Sequence, residues 1–305
     1  MTTFFATRYT LLVIFISDFV HTAGALVGLA IGDALGAPLE GSPPPSRPLA
    51  DMVSGGRFRR LSGEITDDTL QALAIADSLA DLRGFFPYDI LRRLINDYRQ
   101  NPHMYGPTSG AVFDRILAGQ DPLAASRDVY LAAGSRSNGS VMRGPPLGIF
   151  YSGPELEVYS IACSRLTHYN PVAGACSAWI NRMVSDLCRG REPEEAHLRA
   201  AARCRERKVL VILESYDHHA PVAGLDALEA THAALSCFMD SGSFSGAVVT
   251  AVNMGGDSDT VGAIAGSLAG AYYGLHSIPA RWMAGLRPLP RVMETAVRLW
   301  TAAVR

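Results

Sequence analysis

Apolar residues recur along most of the chain at steps of three, four and seven, the spacing of one face of an α-helix. From Gly224 onward, Leu225, Leu228, Leu235, Phe238 and Met239 make one such stripe. Residues 69–82 repeat it with Leu70, Leu73, Ala74 and Leu79. Pro87 and Pro171 each stand where a helix would begin, a position that suits proline because its missing N–H is unpaired there anyway. The second of these helices carries Trp179, Met183 and Leu187 four apart. Strand-like alternation is scarce. The run 208–213 (KVLVIL) is short enough to be a strand or a turn of helix. Loops rich in Gly, Pro and Ser at 41–48, 101–110 and 134–148 separate the helical stretches. The pattern predicts an all-α fold, a single globular orthogonal bundle of about a dozen helices.

Two glycine ladders interrupt this pattern. Gly24, Gly28, Gly32 and Gly36 step by four, as do Gly262, Gly266, Gly270 and Gly274. In a helix each set lines one face. A helical glycine costs about 1 kcal/mol against alanine, so two full ladders need a compensating reason. Close approach of another backbone supplies one. A membrane dimerisation face uses similar spacing, but Asp33 sits inside the first ladder and Asp257 and Asp259 open the second. The expectation is two buried central helices in contact.

Composition narrows the function. A net charge of −2 over 305 residues gives no general basic face for nucleic acid. The five cysteines (163, 176, 188, 204, 237) are scattered without a CxxC pair, which argues for reduced thiols in a cytoplasmic protein and against zinc. Residues 9–20 (YTLLVIFISDFV) follow Arg8 and could form the apolar core of a targeting segment. Asp18 interrupts the run, no clean cleavage site follows, and it is shorter than the ~20 residues of a bilayer span. Residues 1–22 are therefore read as an N-terminal apolar extension, with the main domain at 23–305, no stable membrane span, and a monomer.

The candidate chemistry lies in two acidic motifs, Thr66-Asp67-Asp68-Thr69 and Gly255-Gly256-Asp257-Ser258-Asp259-Thr260, each entering a helix. Either alone is adequately explained as an N-cap, where acids and hydroxyls suit the free N–H groups and the positive helix end. Together they can place four carboxylates in one site. Four anions cannot share a low-dielectric site without neutralisation. An all-oxygen donor set selects hard cations, Mg²⁺ or Mn²⁺ before Ca²⁺. Asp33, with Glu40 close behind it, needs a partner if buried; a salt bridge at the helix end would serve. Residues 134–143 (GSRSNGSVMR) form a Gly/Ser/Asn loop able to present N–H groups to an anion, or an ordinary turn. His168 precedes a helix in LTHYNP.

Five segments in order, GLAIGDALGAPLEG, GEITDDTLQALAIADSL, GSRSNGSVMRGPPLG, LTHYNP and NMGGDSDTVGAIAGSLAGAYYG, resemble the ADP-ribosylglycohydrolase family, that of the dinitrogenase reductase-activating glycohydrolase. The resemblance runs from about residue 23 to 274. It implies a central binuclear site with two divalent cations, Mg²⁺ or Mn²⁺. Thr66, Asp67 and Asp68 would hold one, and Asp257, Asp259 and Thr260 the other, with Glu40 within reach. Ser135, Ser137, Asn138, Gly139 and Ser140 would wrap the diphosphate and ribose of ADP-ribose, and His168 would line its pocket. Asp67, Glu40 and Asp68 are the candidate catalytic carboxylates. The implied activity is hydrolysis of the glycosidic bond between ADP-ribose and a modified protein side chain or small adduct. The second motif reads Asp-Ser-Asp where the family more often has Asp-Thr-Asp. Two other classes remain at this point: a two-metal phosphohydrolase, and a non-catalytic ADP-ribose-binding or structural member.

Overall fold

The computed structural model describes residues 2–303, with side chains from residue 18 onward. Among these residues there are fifteen α-helices and no strand. They are α1 (Thr2–Gly36), α2 (Asp67–Leu82), α3 (Pro87–Gln100), α4 (Pro107–Leu117), α5 (Pro122–Ala133), α6 (Pro145–Phe150), α7 (Glu155–Ser164), α8 (Pro171–Cys188), α9 (Pro193–Arg203), α10 (Arg207–Glu214), α11 (Ala227–Met239), α12 (Phe244–Val252), α13 (Ser258–Tyr273), α14 (Ala280–Gly285) and α15 (Leu289–Ala303). Six of them begin on proline, so the chain marks its own helix starts. The 208–213 run is helical, within α10, because Val209 and Leu213 lie four apart on the face that packs inward. Leu225 does not join the stripe of α11. It precedes the N-cap Asp226 and is 71% exposed.

The glycine ladders meet each other. Helices α1 and α13 run antiparallel with their backbones in contact. A Cβ added at Gly24, Gly28 or Gly32 would stand 2.3, 2.2 or 1.9 Å from the carbonyl oxygen of Gly270, Gly266 or Gly262. At Gly36 it would stand 2.3 Å from that of Ser258. No side chain fits there, which is the compensating reason the helical glycines require. Gly274 departs from the expected ladder. It ends α13 at φ +78°, a turn conformation that favours glycine. Ser258 Oγ donates to the Gly36 carbonyl at 2.9 Å and fixes the register.

Around this pair lie α8, α11 and α12 against α13, α15 against α1, and α2 against α15 and α3. Trp179, Phe238, Phe244 and Trp282 fill the spaces between them. The segment 18–39 is long and apolar enough to cross a membrane, but 94% of its apolar window is buried inside the protein, as a core helix would be. The expected boundary at 22/23 falls inside α1, which continues unbroken across it. Phe19 packs edge-on to Trp300 of α15 at 5.4 Å. The side chains of residues 1–17, most of the apolar extension, lie outside the described residues.

The antiparallel ladder decides where chemistry can occur. It brings the C-terminal end of α1 beside the N-terminal end of α13. Gly41 N donates to the Gly256 carbonyl at 2.7 Å, and Gly256 N donates to the Ser42 carbonyl at 2.8 Å. These bonds tie the residue after Glu40 to the residue before Asp257.

Candidate active site

Asp33, in the last turn of α1, is fully buried and forms no salt bridge among the described residues. It caps α2 instead. Its carboxylate accepts from Thr66 N at 3.1 and 3.0 Å, from Thr69 N at 3.2 Å and from Thr69 Oγ1 at 2.5 Å. Thr66 is the N-cap residue, its hydroxyl accepting from Asp68 N at 3.2 Å. With these groups filling the capping role, the carboxylates of Asp67 and Asp68 are left for something else. At α13 the acid is not spent on capping either. Asp257 occupies the N-cap position but makes no capping bond; Asn138 Nδ2 donates to its carboxylate instead. The N-cap explanation thus accounts for the backbone at α2 and for the acids of neither motif.

Those acids converge. Carboxylate oxygens of Glu40, Asp257 and Asp259 lie within 4.8 Å of one another. Burial pushes Asp68 well above the usual carboxylate range, and the charges of Asp33, Asp67 and Asp257 push it further. Burial and Asp68 do the same to Asp259. Burial and Asp33 take Asp67 to about 8, against a hydrogen bond from Gln71. Burial raises Asp33 to about 6, less than its surroundings alone would do because Thr66 and Thr69 donate to it. Glu40 and Asp257 are also raised, chiefly by burial. The Thr260 hydroxyl at the start of α13 works against the rise at both Asp68 and Asp257. Among the described residues no ion pair reaches any of the six carboxylates. Arg60, nine-tenths buried, contributes positive field at Glu40.

This arrangement fits divalent cations. Asp68 Oδ2 and Asp259 Oδ1 are buried with no hydrogen-bond partner. A buried carboxylate oxygen without a partner is costly. All the donors are hard oxygens, as Mg²⁺ or Mn²⁺ demands. Glu40 and Asp67 are partly exposed, whereas Asp33, Asp68, Asp257 and Asp259 are buried.

The loop before α6 adjoins the acidic cluster through the bond from Asn138 to Asp257, and it forms the second wall of the candidate site. Ser135 Oγ and Thr108 Oγ1 lie 2.7 Å apart, and Ser137 Oγ donates to Thr108 Oγ1 at 3.0 Å. His168 is 3% exposed, with Nδ1 2.7 Å from Thr167 Oγ1 and Nε2 3.0 Å from Ser137 Oγ. Burial drives its pKa down to about 3, so the ring is neutral at ordinary pH, with a hydrogen on only one of its two nitrogens. Gly139 lies flat against it; a Cβ there would stand 2.9 Å from His168 Cε1. Two residues are turned away from the role the resemblance implies. Asn138 reaches across to Asp257. Ser140 is buried, its hydroxyl bonded to Ser164 at 2.9 Å and its carbonyl to Ser177 at 3.2 Å.

Gln71, Arg143 and Thr167 lie within or beside the sequence motifs without a role read from them, and they stand behind these walls. Each is at most 1% exposed. The available signals were a glutamine on the apolar face of α2, four residues from Asp67, and an arginine inside an otherwise apolar run.

The all-α scaffold carries an acidic cluster beside a Ser/Gly loop, and comparison with known proteins gives its class and family. The ADP-ribosylglycohydrolase family model matches residues 19–305, nearly the whole chain, and the protein belongs to that family. It is 31% identical over 274 residues to the ADP-ribosyl-[dinitrogen reductase] glycohydrolase of Rhodospirillum rubrum, covering 86% of this chain and 89% of that protein. It is 32% identical over 299 residues to the ADP-ribosylarginine hydrolase Tri1 of Pseudomonas putida (strain GB-1), covering 92% and 78%. A solved structure described as an ADP-ribosylglycohydrolase-related protein complex superposes with a TM-score of 0.85 at 33% identity, over 94% of this chain and 99% of that one. The chain is a glycosidic-bond hydrolase acting on ADP-ribose linkages.

Proposed function

We propose that the protein is a metal-dependent hydrolase that removes ADP-ribose from modified arginine side chains. The observation that carries the metal dependence is the cluster of six carboxylates without an ion pair, two of them with unpartnered buried oxygens. The name of the Pseudomonas putida relative supports arginine as the acceptor.

Thr66, Asp67 and Asp68 from α2, with Asp257, Asp259 and Thr260 from α13 and Glu40 beside them, would hold two divalent cations. Bound there, Mg²⁺ or Mn²⁺ would supply Lewis acidity toward the ribose hydroxyls and an attacking water. The chain's own groups do the remaining work. Ser135, Ser137 and Gly139 present hydroxyl and backbone groups to the substrate, and His168 supports them as a neutral ring. Asp67 and Glu40 are the two carboxylates open enough to exchange a proton with water and with the leaving group, as cleavage at an anomeric carbon requires. Gln71 occupies Asp67 Oδ2 from a distance of 2.7 Å, which leaves Oδ1 for that exchange. The five free cysteines, four of them buried, support a reducing, cytoplasmic setting.

The test is release of ADP-ribose from an ADP-ribosylarginine substrate, with and without chelator, in the wild type and Asp67→Asn. The expected result is release that needs Mg²⁺ or Mn²⁺ and disappears in the folded variant. Full activity in excess chelator removes the metal. Release from serine but not arginine adducts replaces the acceptor. Phosphate release would make the protein a phosphohydrolase.

A further inference from the structure

The acidic wall and the Ser/Gly wall are joined by one unbroken line of hydrogen bonds. Gln71 Nε2 donates to Asp67 Oδ2 at 2.7 Å. Arg143 Nη1 donates to Gln71 Oε1 at 2.8 Å. Arg143 Nη2 donates to the Cys163 carbonyl at 3.1 Å and to Thr167 Oγ1 at 2.8 Å. Thr167 Oγ1 meets His168 Nδ1 at 2.7 Å, and His168 Nε2 meets Ser137 Oγ at 3.0 Å. Ser137 Oγ donates onward to Thr108 at 3.0 Å.

Arg143 lies at the middle of this line. It is fully buried and has no ion-pair partner among the described residues. A buried guanidinium without a carboxylate is costly, and pairing it is the ordinary remedy. A glutamate at position 71 would provide that pairing at nearly the same size. Glutamine stands there instead. An amide can accept from Arg143 and donate to Asp67 at once; a carboxylate can only accept. The choice therefore serves Asp67 and not the stability of Arg143.

Guanidinium nitrogens only donate, so Gln71 Oε1 and Thr167 Oγ1 both accept from Arg143. The Thr167 oxygen accepts from Arg143, and among the described residues His168 Nδ1 is the one other group bonded to it, so the hydroxyl hydrogen goes to Nδ1. The remaining ring hydrogen is then on Nε2, and Ser137 Oγ accepts it. That leaves the Ser137 hydrogen for Thr108, the direction in which the bond is made. We propose that Arg143 is the positioning residue for both walls: through Gln71 it presents an amide N–H to Asp67, and through Thr167 it holds His168 as the Nε2–H tautomer that orients Ser137. The functional meaning of the two arms rests on the reading given above; the tautomer does not.

The experiment pairs a spectroscopic readout with kinetics. Nitrogen-15 shifts of the His168 ring in the wild-type protein should report the Nε2–H tautomer. Thr167→Val keeps the side-chain shape and removes the relay; the tautomer should become mixed or reversed. KM and the dissociation constant for ADP-ribose should then rise about 5–10-fold, with kcat within about 2-fold, as for loss of one oriented hydrogen bond. Gln71→Glu keeps a partner for Arg143 and removes the donor to Asp67. Its kcat should fall about 10–100-fold at little change in KM, with weaker Mn²⁺ binding by calorimetry, the range seen when groups behind metal ligands are changed. A wild-type ring protonated on Nδ1 overturns the proposal, as does a folded Gln71→Glu protein with wild-type kcat and Mn²⁺ affinity. Unchanged tautomer and KM in Thr167→Val overturn the arm to Ser137. If the wild type releases no ADP-ribose from arginine adducts, the functional reading fails, while the ring shifts still decide the tautomer.

Discussion

The two ends of α2 treat their acids in opposite ways. At the C-terminal end, Asp77 is buried and paired with Arg291 and with Arg298, the latter at 2.9 Å. Asp81 is paired with Arg93 at 2.9 Å and with Arg298. Against some burial, the bonds from Arg93 and Arg298 hold Asp81 below the usual carboxylate range. At the N-terminal end, Asp67 and Asp68 face four further carboxylates with no arginine in contact. One helix of sixteen residues thus carries both solutions. Where the fold needs only stability it supplies arginines. Where it leaves the acids unpaired, the missing positive charge is a demand placed on the solvent.

Three changes should break this contrast, in decreasing size of effect, and a fourth should sharpen it. Asp68→Asn at the N-terminal end should lower kcat on the order of 10³-fold, a loss typical of an electrostatic group in a reaction site. The same variant should melt no lower than wild type in the absence of metal, because it relieves repulsion. A fall in melting temperature together with normal activity would make the two ends alike. Gly32→Ala should cost about 1–3 kcal/mol by overpacking, or more, because its Cβ would meet the Gly262 carbonyl at 1.9 Å. It should also cost activity by displacing Asp33; denaturant titration and a rate assay would show both. Asp77→Asn should do the reverse of Asp68→Asn. It should destabilise by about 1–2 kcal/mol, discounted because Arg291 and Arg298 are partly exposed, and leave kcat within about 2-fold.

The fourth is a pH series on metal-free protein. Asp33 at about 6 and Asp67 at about 8 have folded values above the unfolded value near 4. Stability from these groups is present below about 4 and is lost as pH rises through 6 and then 8. The melting temperature in chelator should therefore decline between pH 5 and 8.5. Saturating Mg²⁺ or Mn²⁺ should flatten or reverse that slope, adding about 2.7 kcal/mol at a hundredfold excess over the dissociation constant. Identical slopes with and without cations would mean that the N-terminal end of α2 binds none. Asp89, held at about 2 by Arg93 and Arg92 despite some burial, behaves oppositely; its contribution is present above about 4 and is lost as pH falls through 2.

Much of this was legible in the sequence, for physical reasons that also explain what was not. The ladders were legible because four helical glycines on one face have few uses besides backbone contact. The acidic motifs were legible because residues 66–69 and 255–260 are contiguous. Leu225 misled because helical periodicity continues past a cap, and only Asp226 bonding to Leu228 N at 2.9 Å and to Glu229 N at 3.3 Å fixes the boundary. The run 208–213 was ambiguous because six apolar residues fit either period. Asp33 was noticed, but capping a helix whose N-cap residue lies 33 residues later leaves no local pattern. Arg143 and Gln71 lie 72 residues apart and meet only in the folded core.

The bond from Ser258 to Gly36 spans 222 residues of chain. Synthesis at roughly 5–20 residues per second separates the appearance of its two ends by roughly 10–45 seconds. During that interval α1 exists with its glycine face uncovered and its aspartate without the helix it will cap. The pocket cannot assemble in stages from the N-terminus, because one of its walls is made almost last. A nascent chain released before α13 should expose an apolar helix and be a client for chaperones. Binding of Mn²⁺ or ADP-ribose should therefore be absent from every stalled intermediate and appear only once the ladder has closed.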